Sequence, residues 1–153
     1  MHVLELKVPP PAVAIVLAAL MWICAWATPA IGFLFPARNL CVIGLAVAGL
    51  AIDIVAIVSF VRAGTTVNPM KPESSSSLVV SGIYKLTRNP MYLGSLLFLA
   101  AWAIYLSNVP AFLLLPAFIL YINRFQIAPE ERALTARFGQ EFDAYKASTR
   151  RWL

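Results

Sequence analysis

The chain has 153 residues, of which 61% are hydrophobic and only 12% charged. With a mean hydropathy of +0.80, that composition excludes an ordinary soluble domain and points to an integral membrane protein of one domain. Twelve Lys and Arg against seven Asp and Glu give a formal charge of +5, a surplus that fits loops beside an anionic leaflet better than a nucleic-acid partner.

Residues 1–12, with Glu5, Lys7 and Pro9-Pro10-Pro11, form a stiff approach to the membrane. Val13 to Phe35 carries no charge, and its roughly 23 residues at about 1.5 Å each are long enough to cross the hydrocarbon core. Ala25-Trp26-Ala27 mimics a signal-peptidase site, but the apolar run continues past it, so a retained span is expected, kinked or frayed near Pro29 and Gly32. Pro36-Ala37-Arg38-Asn39 is a tight connection, and Leu40 to Val61 reads as a second span interrupted only by Asp53. A carboxylate at that depth needs a partner, a proton or water. It is therefore either a polar contact within the bundle or a contact to substrate.

From Arg62 to Asn89 the chain is polar, with Ala63-Gly64-Thr65-Thr66 directly after the span and a linker through Lys71-Pro72-Glu73 and Ser74 to Ser77. Met91 to Leu106 and Val109 to Ile122 are further apolar runs separated by Ser107-Asn108. They read as a tight helical hairpin, lengthened by flanking residues, with Arg124 snorkelling to the headgroups. Pro129-Glu130-Glu131 then starts a polar helix, along which Leu134, Phe138, Phe142 and Tyr145 recur at helical spacing. That amphipathic helix is expected to cap the bundle.

The fold expected is therefore an all-α membrane bundle of about four spans. Residues 1–61 supply two spans, and 62–153 a core of loop, hairpin and tail helix. In this topology Lys7, the Arg62–Arg88 loop and the Arg124–Arg151 tail share one side. Only Arg38 of the twelve cations lies opposite, which places both termini in the cytoplasm. His2 is the sole histidine, and Cys24 and Cys41 lack metal-type spacing, so no metal is expected and the cysteines read as small buried hydrophobes.

The same topology brings three polar elements to one face: the Thr65-Thr66 loop, the junction Ser81–Gly94 and the pair Glu130-Glu131. Gly82 and Gly94 allow close backbone approach, and Tyr84 and Tyr92 offer aromatic faces to a ring or a cation. The carboxylates can hold vicinal hydroxyls, as in dinucleotide sites. Together these suit a nucleoside-bearing cofactor with positive charge. Against this stands an ordinary reading, with the tyrosines as interfacial belt residues and Lys85 and Arg88 as anchors.

Gly82-Ile83-Tyr84, Arg88-Asn89-Pro90-Met91-Tyr92-Leu93-Gly94, Glu130-Glu131-x-x-Leu134 and Phe138-Gly139-Gln140-Glu141-Phe142-x-x-Tyr145 resemble the isoprenylcysteine carboxyl methyltransferase and phospholipid methyltransferase superfamily. The resemblance spans residues 60–152, and Ala63-Gly64-Thr65-Thr66 is similar to its bacterial members, implying a bacterial inner membrane. It implies S-adenosyl-L-methionine as cofactor, contacted by Ser81, Gly82, Ile83, Tyr84, Asn89, Pro90 and Tyr92 and held from the other side by Glu130 and Glu131. It also implies Arg88, Asn89 and Tyr92 as positioning residues of the catalytic centre, and Thr65, Thr66, Arg124 and Gln126 on the acceptor side. The acceptor would be lipophilic and enter from the bilayer: an isoprenylcysteine-like carboxylate, a phospholipid or another lipid.

Two positions depart from the pattern. Asn89 stands where His is commoner, and an amide cannot titrate. Gln126 stands where the eukaryotic isoprenylcysteine enzymes carry Arg, with Arg124 two residues earlier. A steroid-reductase-like enzyme using a nicotinamide cofactor and a non-enzymatic four-span protein are the competing readings. The short chain and the Glu130-Glu131 pair count against the reductase.

Overall fold

The computed structural model describes residues 5–33, 36–65 and 76–153. Its elements are helices α1 (Pro10–Ala27), α2 (Arg38–Arg62), α3 (Pro90–Leu106), α4 (Val109–Phe112), α5 (Leu114–Ile122), α6 (Ala128–Phe138) and α7 (Gln140–Ser148). One 3-10 turn follows α1 at Pro29–Ile31, and another, Gly82–Lys85, precedes α3. No strand occurs among the described residues. The all-α membrane bundle is thus the architecture found.

Among the described residues three helical courses are long and apolar enough to cross a membrane: Pro10–Ala27, Arg38–Arg62 and a continuous Val109–Phe138. Pro90–Leu106 is apolar but shorter, and it is nevertheless the centre of the bundle. It packs against α2 on one side and against α1, α4 and α5 on the other. Between lipid-solvated helices, association depends on close packing rather than on hiding apolar surface from water. Gly49 of α2 and Gly94 of α3 supply that closeness, since a methyl on Gly49 would lie 3.1 Å from the Gly94 carbonyl oxygen.

Proline sets several of the starts. Pro10 and Pro90 lie in the first turns of α1 and α3, where the missing N–H is not needed. At the other end of α1, Pro29 holds Thr28 out of helical geometry. The first span therefore ends at Ala27, short of the expected Phe35, which lies outside the described residues. Starting at Pro10 instead of Val13 recovers three residues, and the helix has 18. At the far hairpin, Ser107 adopts the left-handed conformation (φ 48°), and the Asn108 amide donates to the Thr28 carbonyl at 2.9 Å. This ties the hairpin to α1.

The tail is organised differently from the single helix the periodicity predicts. The fourth span does not stop before Pro129. A π-turn at Asn123–Ile127 leads directly into α6, with the Ala128 N–H reaching back to the Asn123 carbonyl. A wide turn accommodates a ring that would otherwise crowd the carbonyl four residues earlier. The helix then breaks at Gly139, whose φ of +52° is hard for a residue with a Cβ. The apolar positions Phe138, Phe142 and Tyr145 consequently sit on two helices, and they still converge on one cluster with Ala56, Val79 and Tyr84.

Candidate active site at the mouth of the bundle

Where α2, the 82–85 turn, α3 and α6 meet, the Tyr92 hydroxyl donates to the Glu130 carboxylate. Both groups are brought there by the hairpin, Tyr92 in the first turn of α3 and Glu130 in the first turn of α6. Tyr84 stands edge-on to Phe60 of α2, with ring centroids 5.4 Å apart. It is only 5% exposed, and the Tyr145 hydroxyl donates to its carbonyl at 2.7 Å. Its own hydroxyl finds no partner among the described residues, and neither does Oδ1 of Asp53. Burial holds the Tyr84 phenol well above its ordinary pKa. Burial likewise raises Tyr145, with Arg88 opposing. Three phenols and two carboxyl groups thus share one neighbourhood.

Beside this cluster lies a strap that the sequence did not announce. The Arg88 guanidinium bonds Glu131 at 2.8 Å and the carbonyls of Lys146 (3.1 Å) and Thr149. Glu131 also takes Arg151, whose Nε lies 3.1 Å from Oε1. The backbone follows: Arg88 N–H donates to the Arg150 carbonyl (2.9 Å), and the Thr87 hydroxyl (3.2 Å) and Asn89 amide (2.8 Å) both donate to that of Arg151. Trp152 closes the strap by donating to Asn123 at 3.1 Å. Charge-assisted bonds of this kind are the stronger ones, and here they fasten the C-terminus to the junction.

The expected site residues therefore fall into three groups. Tyr84, Tyr92 and Glu130 converge. Ser81, Gly82, Ile83 and Pro90 form the approach to them, Gly82 with a φ of +61° that suits glycine. Arg88, Asn89 and Glu131 are adjacent, but the terminal nitrogens of Arg88, the Asn89 amide and the Glu131 carboxylate are engaged with the strap. The acceptor-side expectations scatter more. Thr65 accepts from the Ser76 N–H at 3.0 Å and so closes the base of the loop, while Thr66 lies outside the described residues. Arg124 is exposed. Gln126 is fully buried, and its amide donates to the Val8 carbonyl at 2.6 Å, holding the N-terminal segment against the π-turn.

Residues missed by sequence reasoning are Thr87, Thr149, Arg151 and Trp152. The only local signal was a hydroxyl, two cations and a tryptophan at the chain end, which has no distinctive spacing. Among the described residues no group of three metal-type side chains assembles. An aromatic, acidic, partly unsatisfied cluster instead fits a donor-rich, positively charged organic ligand.

Comparison with known proteins adds the following. A family model described as phospholipid methyltransferase matches residues 38–141, from the start of α2 into α7. An uncharacterized protein of Haemophilus influenzae is 52% identical over 63 residues, which is 41% of this chain and the full length of that protein. No solved structure matches.

Proposed function

The chain belongs to the phospholipid methyltransferase family, and from that premise we propose that it transfers a methyl group from S-adenosylmethionine to a lipophilic acceptor at the cytoplasmic membrane face. The observation that carries this reading is the Tyr84, Tyr92 and Glu130 cluster at the mouth of an otherwise apolar bundle. The cofactor supplies a methyl group on a cationic sulfonium, activated for in-line displacement. Such a displacement requires alignment and exclusion of water more than a strong base, which agrees with a cluster lacking an evident nucleophile.

The chain's own residues divide that work. Glu130 presents its carboxyl group to a cationic or hydroxyl-bearing ligand, and Tyr92 fixes its orientation. Tyr84 offers a buried ring and an unengaged hydroxyl. Ser81, Gly82 and Ile83 bring backbone up to the ligand with little side-chain bulk at Gly82. Arg88, Asn89 and Glu131 hold the junction in place through the strap, so their contribution is positioning. The packed apolar core of α3 and α5, centred on Leu99, Phe118 and Ile122, excludes water from the inner side of the cluster. Eleven of the twelve cations on one side support cytoplasmic termini.

For the acceptor, a phospholipid or other lipid accords with the family better than a prenylcysteine carboxylate. The position that would carry a carboxylate-binding Arg is Gln126, and its amide is committed to Val8. Calorimetry on the detergent-purified protein tests the cofactor: micromolar binding of S-adenosylmethionine or S-adenosylhomocysteine is expected, and no heat at millimolar ligand refutes the proposal. Incubation of labelled cofactor with membrane lipid extract then identifies which product carries the methyl group.

A further inference from the structure

Asp53 is the one acidic residue within α2, and neither the cofactor reading nor the bundle packing gives it a task. An ionisable group at this depth is costly and is retained where it faces a functional interior. Its place is well defined. An atom added at the Cβ position of Gly94 would lie 2.2 Å from Oδ1 and 2.7 Å from Cγ of Asp53. The carboxylate therefore occupies a notch that exists only because residue 94 has no side chain, two residues along α3 from Tyr92. One turn further along α2, Ala56 packs into the cluster that contains Tyr84.

The occupant of this corner has a definite chemistry. Oδ1 of Asp53 is buried without a hydrogen-bond partner, and so is the Tyr84 hydroxyl, on a side chain 5% exposed. Asp53 and Glu130 each lie within electrostatic range of the Tyr84 hydroxyl. The nearby cation, Arg88, is engaged by Glu131 and by backbone carbonyls. A buried polar atom left unpaired calls for an unseen partner. The Asp53 oxygen calls for a hydrogen-bond donor, and a protonated amine supplies both the donors and the countercharge that an ionised carboxylate needs when buried.

We propose that Asp53 and the Tyr84 hydroxyl, in the notch opened by Gly94, form a subsite that binds a protonated amine. The inference rests on the methyltransferase reading. Two ligands of such an enzyme carry that chemistry: the amino-acid end of the methyl donor and the headgroup of an amine-bearing lipid. The subsite makes Asp53 a binding residue, with Gly94 needed to seat it.

Asp53→Asn keeps the shape and removes the charge, while Tyr84→Phe keeps the ring and removes the unpaired hydroxyl. Calorimetry in detergent compares S-adenosylhomocysteine with 5′-methylthioadenosine, which lacks the amino-acid end. Native mass spectrometry compares retention of phosphatidylethanolamine with that of phosphatidylcholine, whose headgroup has no N–H. If the donor is the source, Asp53→Asn weakens S-adenosylhomocysteine at least tenfold and leaves methylthioadenosine unchanged. If the lipid is the source, the preference for phosphatidylethanolamine disappears instead. In either case Tyr84→Phe weakens the same ligand several-fold without lowering the melting temperature of the unliganded protein, an outcome a purely structural role does not give. Binding of both probes unchanged by Asp53→Asn overturns the subsite while leaving the methyltransferase reading intact. Failure of the unsubstituted protein to bind S-adenosylhomocysteine defeats that reading and the subsite with it.

Discussion

Removing Glu131 tests whether the C-terminal strap holds the junction by electrostatics or merely rests on it. The carboxylate is 17% exposed and lies between Arg88, 12% exposed, and Arg151, 38% exposed. In Glu131→Ala the Arg88 guanidinium stays buried with one partner lost, and breaking a buried pair from one side costs about 3–5 kcal/mol. Arg88 keeps its two carbonyl acceptors, so the loss is set nearer roughly 2–4 kcal/mol. Arg151 contributes little to that figure, because a partly exposed pair is worth only about 0–1 kcal/mol. For a chain of this size the melting temperature should fall by roughly 5–15 °C. Tryptophan fluorescence during a thermal ramp in detergent measures it, and Trp152 is itself part of the strap. Arg151→Ala should cost far less, since Thr87 and Asn89 bond to its backbone carbonyl and not to its side chain. The reasoning fails if Arg151→Ala is as damaging as Glu131→Ala, or if Glu131→Ala melts within about 2 °C of the parent, where roughly 5–15 °C is expected.

Three further outcomes follow from particular contacts. Gly94→Ala pushes a methyl into the Asp53 carboxylate and should destabilise by about 1–3 kcal/mol. Adding Asp53→Ala should recover much of that loss, and a melting-temperature double-mutant cycle reads the coupling. Gly139→Ala forces a Cβ into φ +52° at about 1–3 kcal/mol, and limited proteolysis should show earlier cleavage between α6 and α7. Tyr92→Phe removes the donor to Glu130 while preserving a ring packed among apolar side chains. Cofactor affinity is expected to fall roughly tenfold, about 1.4 kcal/mol, with less effect on melting; unchanged calorimetric affinity would remove Tyr92 from the site.

Much of this protein was legible in its sequence because membrane spans are written as composition. Every backbone polar group in lipid must be satisfied within its own helix, so the apolar runs around α1 and α2 and the hairpin of α3 to α5 could be read directly. The convergence of Tyr92 with Glu130 was also legible, since only two residues separate the hairpin's apolar runs and antiparallel return follows. The tail was less so. Its apolar positions fit one helix by periodicity alone, and only the positive φ of Gly139 and the π-turn before Pro129 divide the course differently. The tertiary structure alone decided the contents of the site. Arg88 and Asn89 read as site residues, but their polar atoms meet the terminal strap, through backbone carbonyls that have no sequence identity. Asp53 read as a polar contact within the bundle or to substrate. Its place against Gly94 depends on how closely α2 and α3 approach, a property of two surfaces in register and of neither helix by itself.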